Sequence, residues 1–403
     1  MFTFIMAMGD PRSHLERLLG PEGVGRDPGG TPRAFPDTAE SLAEVLTLVE
    51  RQGWHARLEG RGSWLAADAP ADLAISMRAL DELLAIDVAA QTVTVAAGIS
   101  LETLGRRLAD RGFWLPWDPP GRPDRSVGSI LATGTAGPLR AAFGSPATAL
   151  DRCVLATGDG RLLELAGDAA RVHATAFGAS GPLAEVTLRV RAIPEGDITL
   201  TATGPRDDLT KAARDALAAG ARPAALELFA PAVATAPDWV LAARFLGPAA
   251  LLVAERAHLV QSAALAWTEL PADRAPAVWM MAARAPLGGP VTVRLAAVAD
   301  GIDETIDLVG DHLDEGLISI GLADGLVRWS GRAESKRLRA LRRAAAAREI
   351  PMTLERAPWP LREQVGHYGA YRESGAPAPG WQREFDPGRR IVMTLDDAGR
   401  GEG

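Results

Sequence analysis

The chain has a single cysteine, Cys153, so no intrachain disulfide and no cysteine-based metal cluster can form. Lysine is nearly as scarce: Lys211 and Lys336 are the only two, and almost all positive charge is arginine. Positive charge is not in excess either, with 43 Lys and Arg against 51 Asp and Glu and a net charge of −8. Nothing is available to neutralise a run of phosphates, which excludes nucleic acid and anionic membrane as main partners. No apolar run is long enough for a membrane-spanning helix. The opening MFTFIMAMGDP has a short apolar stretch without a basic leader and does not read as a signal peptide. The expected setting is cytoplasmic, with any membrane association coming through a partner. The histidines, at 14, 55, 173, 258, 312 and 367, show no helix-face metal spacing, so no metal site is expected. Neither a G-x-S-x-G elbow nor a Walker loop occurs, which leaves hydrolase and NTPase chemistry without support.

What is present is a chain of 403 residues, 47% apolar and 23% charged, suited to two or three globular domains. Residues 10–36 are rich in glycine and proline and read as a segment packed on the surface. A helix is expected after Asp37, with Asp37 capping, Glu40 reaching back, and Leu42, Val45, Leu46 and Val49 on one face before Gly53. Strands are expected at 54–58, 73–76, 83–87 and 92–96, and Ser100 caps a helix over 101–111. Gly158-Asp159-Gly160 reads as the turn of a β-hairpin with arms at 152–157 and 161–165. Cys153, in the first arm, reads as a small core residue. From Asp197 to about Arg348, strands alternate with helices, the pattern of an α+β domain with an antiparallel sheet and helices on one face.

The stretch from Leu115 to Arg140, LPWDPPGRPDRSVGSILATGTAGPLR, organises the rest. A rigid Trp117-Asp118-Pro119-Pro120 turn leads through a polar loop into a run of small residues with Gly128, Gly134 and Gly137. Small side chains let backbone N–H groups approach a ligand, and a helix starting near Ser126 would aim its first N–H groups at an anion. Two further loops share this character, Gly60-Arg61-Gly62-Ser63-Trp64 and Gly178-Ala179-Ser180-Gly181-Pro182-Leu183.

The order Val95-Ala96-Ala97-Gly98, helix, LPWDPP, SVGSILATGTAGPLR resembles the FAD-binding half of the vanillyl-alcohol-oxidase/PCMH flavoproteins. Within them it is most similar to the FAD-binding E subunit of glycolate oxidase, best over residues 37–194. The resemblance implies an α+β fold: a PCMH-type FAD-binding domain of two α/β subdomains (1–195), an α+β cap domain (196–349) and a C-terminal tail (350–403) packing back on the first domain. It implies FAD as cofactor, held by Gly60, Arg61, Gly62, Ser63 and Trp64, by Pro119, Gly128, Ser129, Ala132, Thr133, Gly134, Gly137, Pro138 and Arg140, and by Gly178, Gly181 and Leu183. It further implies electron relay through flavin in a complex oxidising a small 2-hydroxyacid. A D-type flavoprotein subunit and an F-type iron–sulfur subunit would be the partners. No catalytic base is assigned.

Two departures from the family pattern stand out. Arg61 occupies a position where a further glycine is common, and Ala66-Ala67 follow in place of more permissive residues. Residues 168–177 are too few for the K-N-V-x-G-Y-D-L segment that walls one side of the isoalloxazine. These favour the alternative of a structural or assembly subunit that keeps the fold without the cofactor; a stand-alone flavin oxidase acting on another alcohol is a third reading. His173 is expected in a surface loop, while His367, Tyr368 and Tyr371 either line a pocket or pack between domains. Asp386-Pro387-Gly388 resembles the family's closing F-D-P signature, collapsed to one turn.

Overall fold

The computed structural model describes residues 10–65, 68–297, 301–368 and 381–393, so the opening residues 1–9, Ala66-Ala67 and Tyr371 lie outside the described residues. Helix Ala39–Gln52 carries Leu42, Val45, Leu46 and Val49 at helical spacing, all fully buried, and Gly53 closes it in the left-handed conformation. Its N-terminal cap differs from expectation. Thr38 accepts the Ser41 N–H, and the Ser41 hydroxyl accepts the Thr38 N–H, so Ser41 takes the role assigned to Glu40. The helix covers a four-stranded sheet in the order Val24–Arg26, Pro32–Ala34, Leu73–Ser76, Ala56–Glu59, the last three strands parallel. Residues 10–36 lie mostly at the surface, as expected, but they also supply a helix and the two outer strands on one side of this sheet. Their prolines and glycines punctuate very short elements, while Leu15 and Ala34 are fully buried in the same core.

The second subdomain is an antiparallel five-stranded sheet in the order Leu83–Asp87, Thr92–Ala96, Leu183–Arg189, Leu150–Ala156, Leu162–Ala166. Its apolar residues pack on Leu104 and Leu108 of helix Leu101–Ala109, on Val127 and Leu131 of helix Val127–Thr133, and on Ala170 and Ala174 of helix Gly167–Ala174. Ala96, Ala156 and Ala184 join the core of the first subdomain, so the two halves meet through small side chains.

From Gly196 the chain builds an eight-stranded sheet, antiparallel throughout: Thr268–Glu269, Gly196–Gly204, Trp239–Gly247, Ala225–Phe229, Gly316–Gly321, Leu326–Gly331, Val291–Ala296, Met352–Arg356. Strand alternation sorts it into two faces. Leu226, Leu228, Leu241, Phe245, Val293 and Trp329 form a core beneath helices Arg206–Ala218, Ala249–Ser262, Ile302–His312 and Ser335–Ala346. Glu227, Arg294, Arg328 and Glu355 occupy alternate positions and are buried. Arg328 donates to the Ala136 carbonyl (2.7 Å), and Asp324 pairs with Arg140 (3.5 Å), so this polar side meets the first domain.

Two elements depart from the sequence expectation. Helix Ala275–Arg284 packs Val278 and Ala282 on Phe229 and Ala242, where no element was expected. Met352–Arg356 is an edge strand of the cap sheet paired with Val291–Ala296, so the chain leaves the cap later than residue 349. Only then do residues 381–393 return to the first domain. The Ala56 N–H donates to the Arg390 carbonyl (2.7 Å) and the Val392 N–H to the Ala56 carbonyl (2.9 Å), which adds a strand-like edge beside Ala56–Glu59. The fully buried Asp386 carboxylate secures this return by accepting the N–H groups of Arg390 (2.8 Å) and Ile391 (2.9 Å) and the Gln382 amide (3.1 Å). Asp386→Ala strands these donors and is expected to cost about 3 kcal/mol. Urea unfolding measures the loss, and limited proteolysis should show earlier cutting around 381–393.

Candidate functional site

The two subdomains, the cap and the returning tail enclose a cleft with about 1210 Å³ of empty space, its open mouth included. One wall is the loop Gly60 to Trp64 at the end of strand Ala56–Glu59. The facing wall is one side of helix Val127–Thr133, presenting Ser129, Ala132 and Thr133 after its N-cap Ser126. Phe177, Gly178, Gly181 and Leu183 form a third side, Arg362 and His367 a fourth, and Ile391, Val392 and Met393 close the end.

Close approach explains two of the glycines. A Cβ on Gly60 would collide with the Ser126 hydroxyl across the cleft. Gly181 has φ +114°, and a Cβ there would strike the Ala156 carbonyl. Gly128 brings helix Val127–Thr133 onto the end of strand Thr92–Ala96: its N–H donates to the Ala97 carbonyl (2.7 Å), and the Val127 N–H donates to Ile99 (2.9 Å). This corrects the expectation that the first N–H groups of this helix await an anion, because two of them are already used. What the helix offers the cleft is its small-residue side.

Of the residues singled out from sequence, twelve line the cleft: Gly60, Arg61, Gly62, Ser63, Trp64, Gly128, Ser129, Ala132, Thr133, Gly178, Gly181 and Leu183. Five are not part of its lining. Gly134 ends helix Val127–Thr133 with φ +59°, and beyond it the chain turns toward the cap. Gly137 packs so closely on the backbone of Asp118 that no side chain fits. Pro138 is buried, Pro119 half-buried, and Arg140 reaches Asp324 of the cap.

Several lining residues were not assigned as cofactor contacts from sequence, Phe177, His367 and the 391–393 stretch among them. Phe177 stands where the longer wall segment was missed, with φ +53° and its N–H on the Ala132 carbonyl (2.8 Å). A bulky residue at positive φ is strained, and surrounding contacts must hold it there. The His367 ring lies 4.3 Å from that of Phe177, and its Nδ1 is 2.7 Å from the Leu354 carbonyl. Burial pushes the His367 pKa down to about 4. The ring is therefore neutral, with Nδ1 donating and the lone pair on Nε2. Ile391 to Met393 reach the cleft through the tail's return, for which the Asp386-Pro387-Gly388 turn was the only sequence signal.

Arg61 donates to the Arg78 and Gly98 carbonyls (3.4 Å each), so its guanidinium is drawn back on the backbone. Arg57 is neutralised by Asp27 (2.7 Å) and Glu59 (2.8 Å). His173 is not in a surface loop. It is half-buried on helix Gly167–Ala174, with its ring against Trp381 and Phe385 (5.1 and 4.7 Å). Burial pushes the Cys153 thiol up to about 12, as suits an inert core residue. Among the described residues no group of three His, Cys, Asp or Glu is placed to hold a metal, and no helix is long and apolar enough to cross a membrane.

Residues 33–166 match the family model described as "FAD binding domain". No curated protein matches the chain. Two solved structures of alkyldihydroxyacetonephosphate synthase share its fold. One has a TM-score of 0.69 at 14% identity, covering 94% of this chain and 84% of that one. The other has a TM-score of 0.59 at 16% identity, covering 74% of this chain and 70% of that one.

The cleft fits FAD on its own chemistry. The Ser126 hydroxyl and the Trp64 indole N–H are buried in its walls without a hydrogen-bond partner, and both are groups that a polar cofactor would satisfy. The two departures from the family pattern leave the cleft open, since Arg61 is drawn back and Phe177 supplies a wall. Ser126→Ala and Trp64→Phe remove donors that the unliganded fold does not use. Ser126→Ala is expected to leave apo stability within about 0.5 kcal/mol, Trp64→Phe to cost about 1 kcal/mol of lost packing, and each to weaken FAD about five- to tenfold. Fluorescence titration with FAD measures the affinity; unchanged affinity in both variants would contradict the fit. On the matched domain, the fold and these open donors, the chain carries an FAD-binding domain on a PCMH-type fold and takes FAD as its cofactor.

Proposed function

We propose that the protein is the FAD-binding subunit of a glycolate-oxidase-like complex, relaying electrons from a 2-hydroxyacid-oxidising D-type flavoprotein subunit to an F-type iron–sulfur subunit. The observation that carries this reading is the convergence, on one cleft, of the three loops in which the sequence resembles that subunit. The bound cofactor supplies the redox chemistry, and the chain supplies position and electrostatics. Gly60 and Gly181 bring backbone against the ligand, Ser126 and Trp64 offer donors, and Phe177 with His367 forms an aromatic wall. The cap docks on the first domain beside the site through Arg328 on the Ala136 carbonyl and Arg140 on Asp324.

One observation favours a second reading, in which this chain itself oxidises an alcohol. His367 places a neutral imidazole in the cleft wall, with a lone pair on Nε2 able to accept the proton of a substrate hydroxyl. Anaerobic mixing of the holoprotein with glycolate and related 2-hydroxyacids separates the two. On the first reading the flavin band of the isolated chain persists, and it bleaches only when the D-type subunit is added. On the second it bleaches without a partner, and His367→Gln slows bleaching about 10²- to 10⁴-fold.

The pH behaviour of His367 follows from its burial. The folded pKa is near 4 against an ordinary value of 6.5. Between these values the unfolded chain takes up a proton that the folded chain refuses, so the residue lowers stability as pH falls through that window. His367→Gln is expected to lose less stability than wild type between pH 7 and pH 5, read from urea midpoints. Equal losses would contradict the neutral assignment.

A further inference from the structure

Behind the wall formed by Trp64 and Thr133 lies a charge that the cleft's shape does not explain. Arg125 is fully buried. Its guanidinium donates to the Pro120 carbonyl (2.7 Å) and the Thr133 hydroxyl (3.1 Å), both uncharged, and its Nε has no partner. It lies 4.7 Å from the centre of the Trp64 ring. Among the described residues no carboxylate comes within ion-pair distance of it. Glu355 faces it from the cap strand Met352–Arg356, but that carboxylate is already held by Arg328 (3.1 Å) and Arg294 (3.3 Å). Glu355 is thus already engaged by two guanidiniums before Arg125 faces it. Burial pulls the Arg125 pKa down to about 9, which still leaves it charged at neutral pH. A buried, uncompensated cation costs stability unless something negative comes to face it.

Arg125 sits at the cap end of the cleft. The Gly121 N–H of its loop donates to Ala283 of the cap (2.9 Å), and the Trp64 carbonyl accepts from Arg356 of the cap (3.1 Å). A reactant or partner reaching the site between the domains meets the cofactor at that end. Two-electron reduction of a flavin at neutral pH takes up two electrons and one proton, which leaves the ring with one additional negative charge. A fixed cation behind the wall binds that form more tightly than the oxidised one.

We infer that Arg125 is a positioning residue for charge, whose unpaired guanidinium sets a positive field in the cleft and raises the reduction potential of the bound FAD. The inference rests on the FAD reading of this cleft. Its test is the midpoint potential of the holoprotein, titrated with dithionite against a reference dye. Arg125→Met is expected to weaken the hold on the reduced cofactor about tenfold relative to the oxidised one, a fall of about 30 mV for a two-electron couple. Arg125→Lys keeps the charge and is expected to keep the wild-type potential. An unchanged potential in Arg125→Met, with both redox forms released equally, would overturn the inference and leave Arg125 a wall support.

Should Arg125→Met fail to fold, sulfite decides on the wild-type holoprotein. Sulfite adds to the ring N5 by forming an N–S bond, with no leaving group, and leaves the ring anionic. Bleaching of the visible band at millimolar sulfite is expected; a band that persists would overturn the inference. A chain that shows no flavin bands after incubation with FAD would instead defeat the cofactor reading itself.

Discussion

The hydrogen bond from the Gly128 N–H to the Ala97 carbonyl (2.7 Å) is the constraint from which the site follows. It draws helix Val127–Thr133 against the end of strand Thr92–Ala96 so closely that a Cβ on Gly128 would lie 3.0 Å from both the Cβ and the carbonyl oxygen of Ala97. The helix gives up two of its free N–H groups to this contact. In return its small side, Ser129, Ala132 and Thr133, forms one wall of the cleft, opposite the loop from Gly60 to Trp64. A Cβ on Gly60 would collide with the Ser126 hydroxyl, so the two walls meet closely because side chains are missing at Gly60 and Gly128. Larger residues at either would force these packed elements apart.

The other constraint is the polar seam between the cap and the first domain. Strand alternation places Glu227, Arg294, Arg328 and Glu355 opposite the cap's apolar core, where they are buried. Burial pushes the Glu355 carboxyl up, but Arg328 and Arg294 overcome this and hold it below the usual range. Burial and the neighbouring Asp324 push Glu227 well above its usual range. Buried charges of this kind contribute little net stability against an apolar alternative, because desolvation offsets the attraction. What they supply is a definite mating of two domains over the cleft, with Arg125 buried beside it without a carboxylate at ion-pair distance.

How far the sequence reveals the fold depends on how each element is stabilised. The expected bounds of strands Leu73–Ser76, Leu83–Asp87 and Thr92–Ala96 match the observed ones, and helix Ala39–Gln52 shows in its apolar spacing because it buries one regular face. Met352–Arg356 is not expected as a strand, since two of its five residues, Glu355 and Arg356, are charged and only the seam explains the burial of Glu355. Helix Ala275–Arg284 begins with a proline and buries little more than Val278 and small residues, which blunts its periodic signal. The cleft divides the same way. Its backbone walls show in the small residues at 60–64, 128–133 and 178–183. Phe177, His367 and Met393 carry no local mark, because tertiary packing alone brings them from distant stretches to one place.

The most direct test of the account is the visible absorption spectrum of the purified, full-length chain after incubation with FAD and removal of the excess, with chromatography of the cofactor released on denaturation. A cleft walled by the loop from Gly60 and helix Val127–Thr133, with unsatisfied donors at Ser126 and Trp64, requires flavin bands near one FAD per chain. A folded protein that remains colourless would contradict it, and the cleft would then be a packing feature of a cofactor-free scaffold.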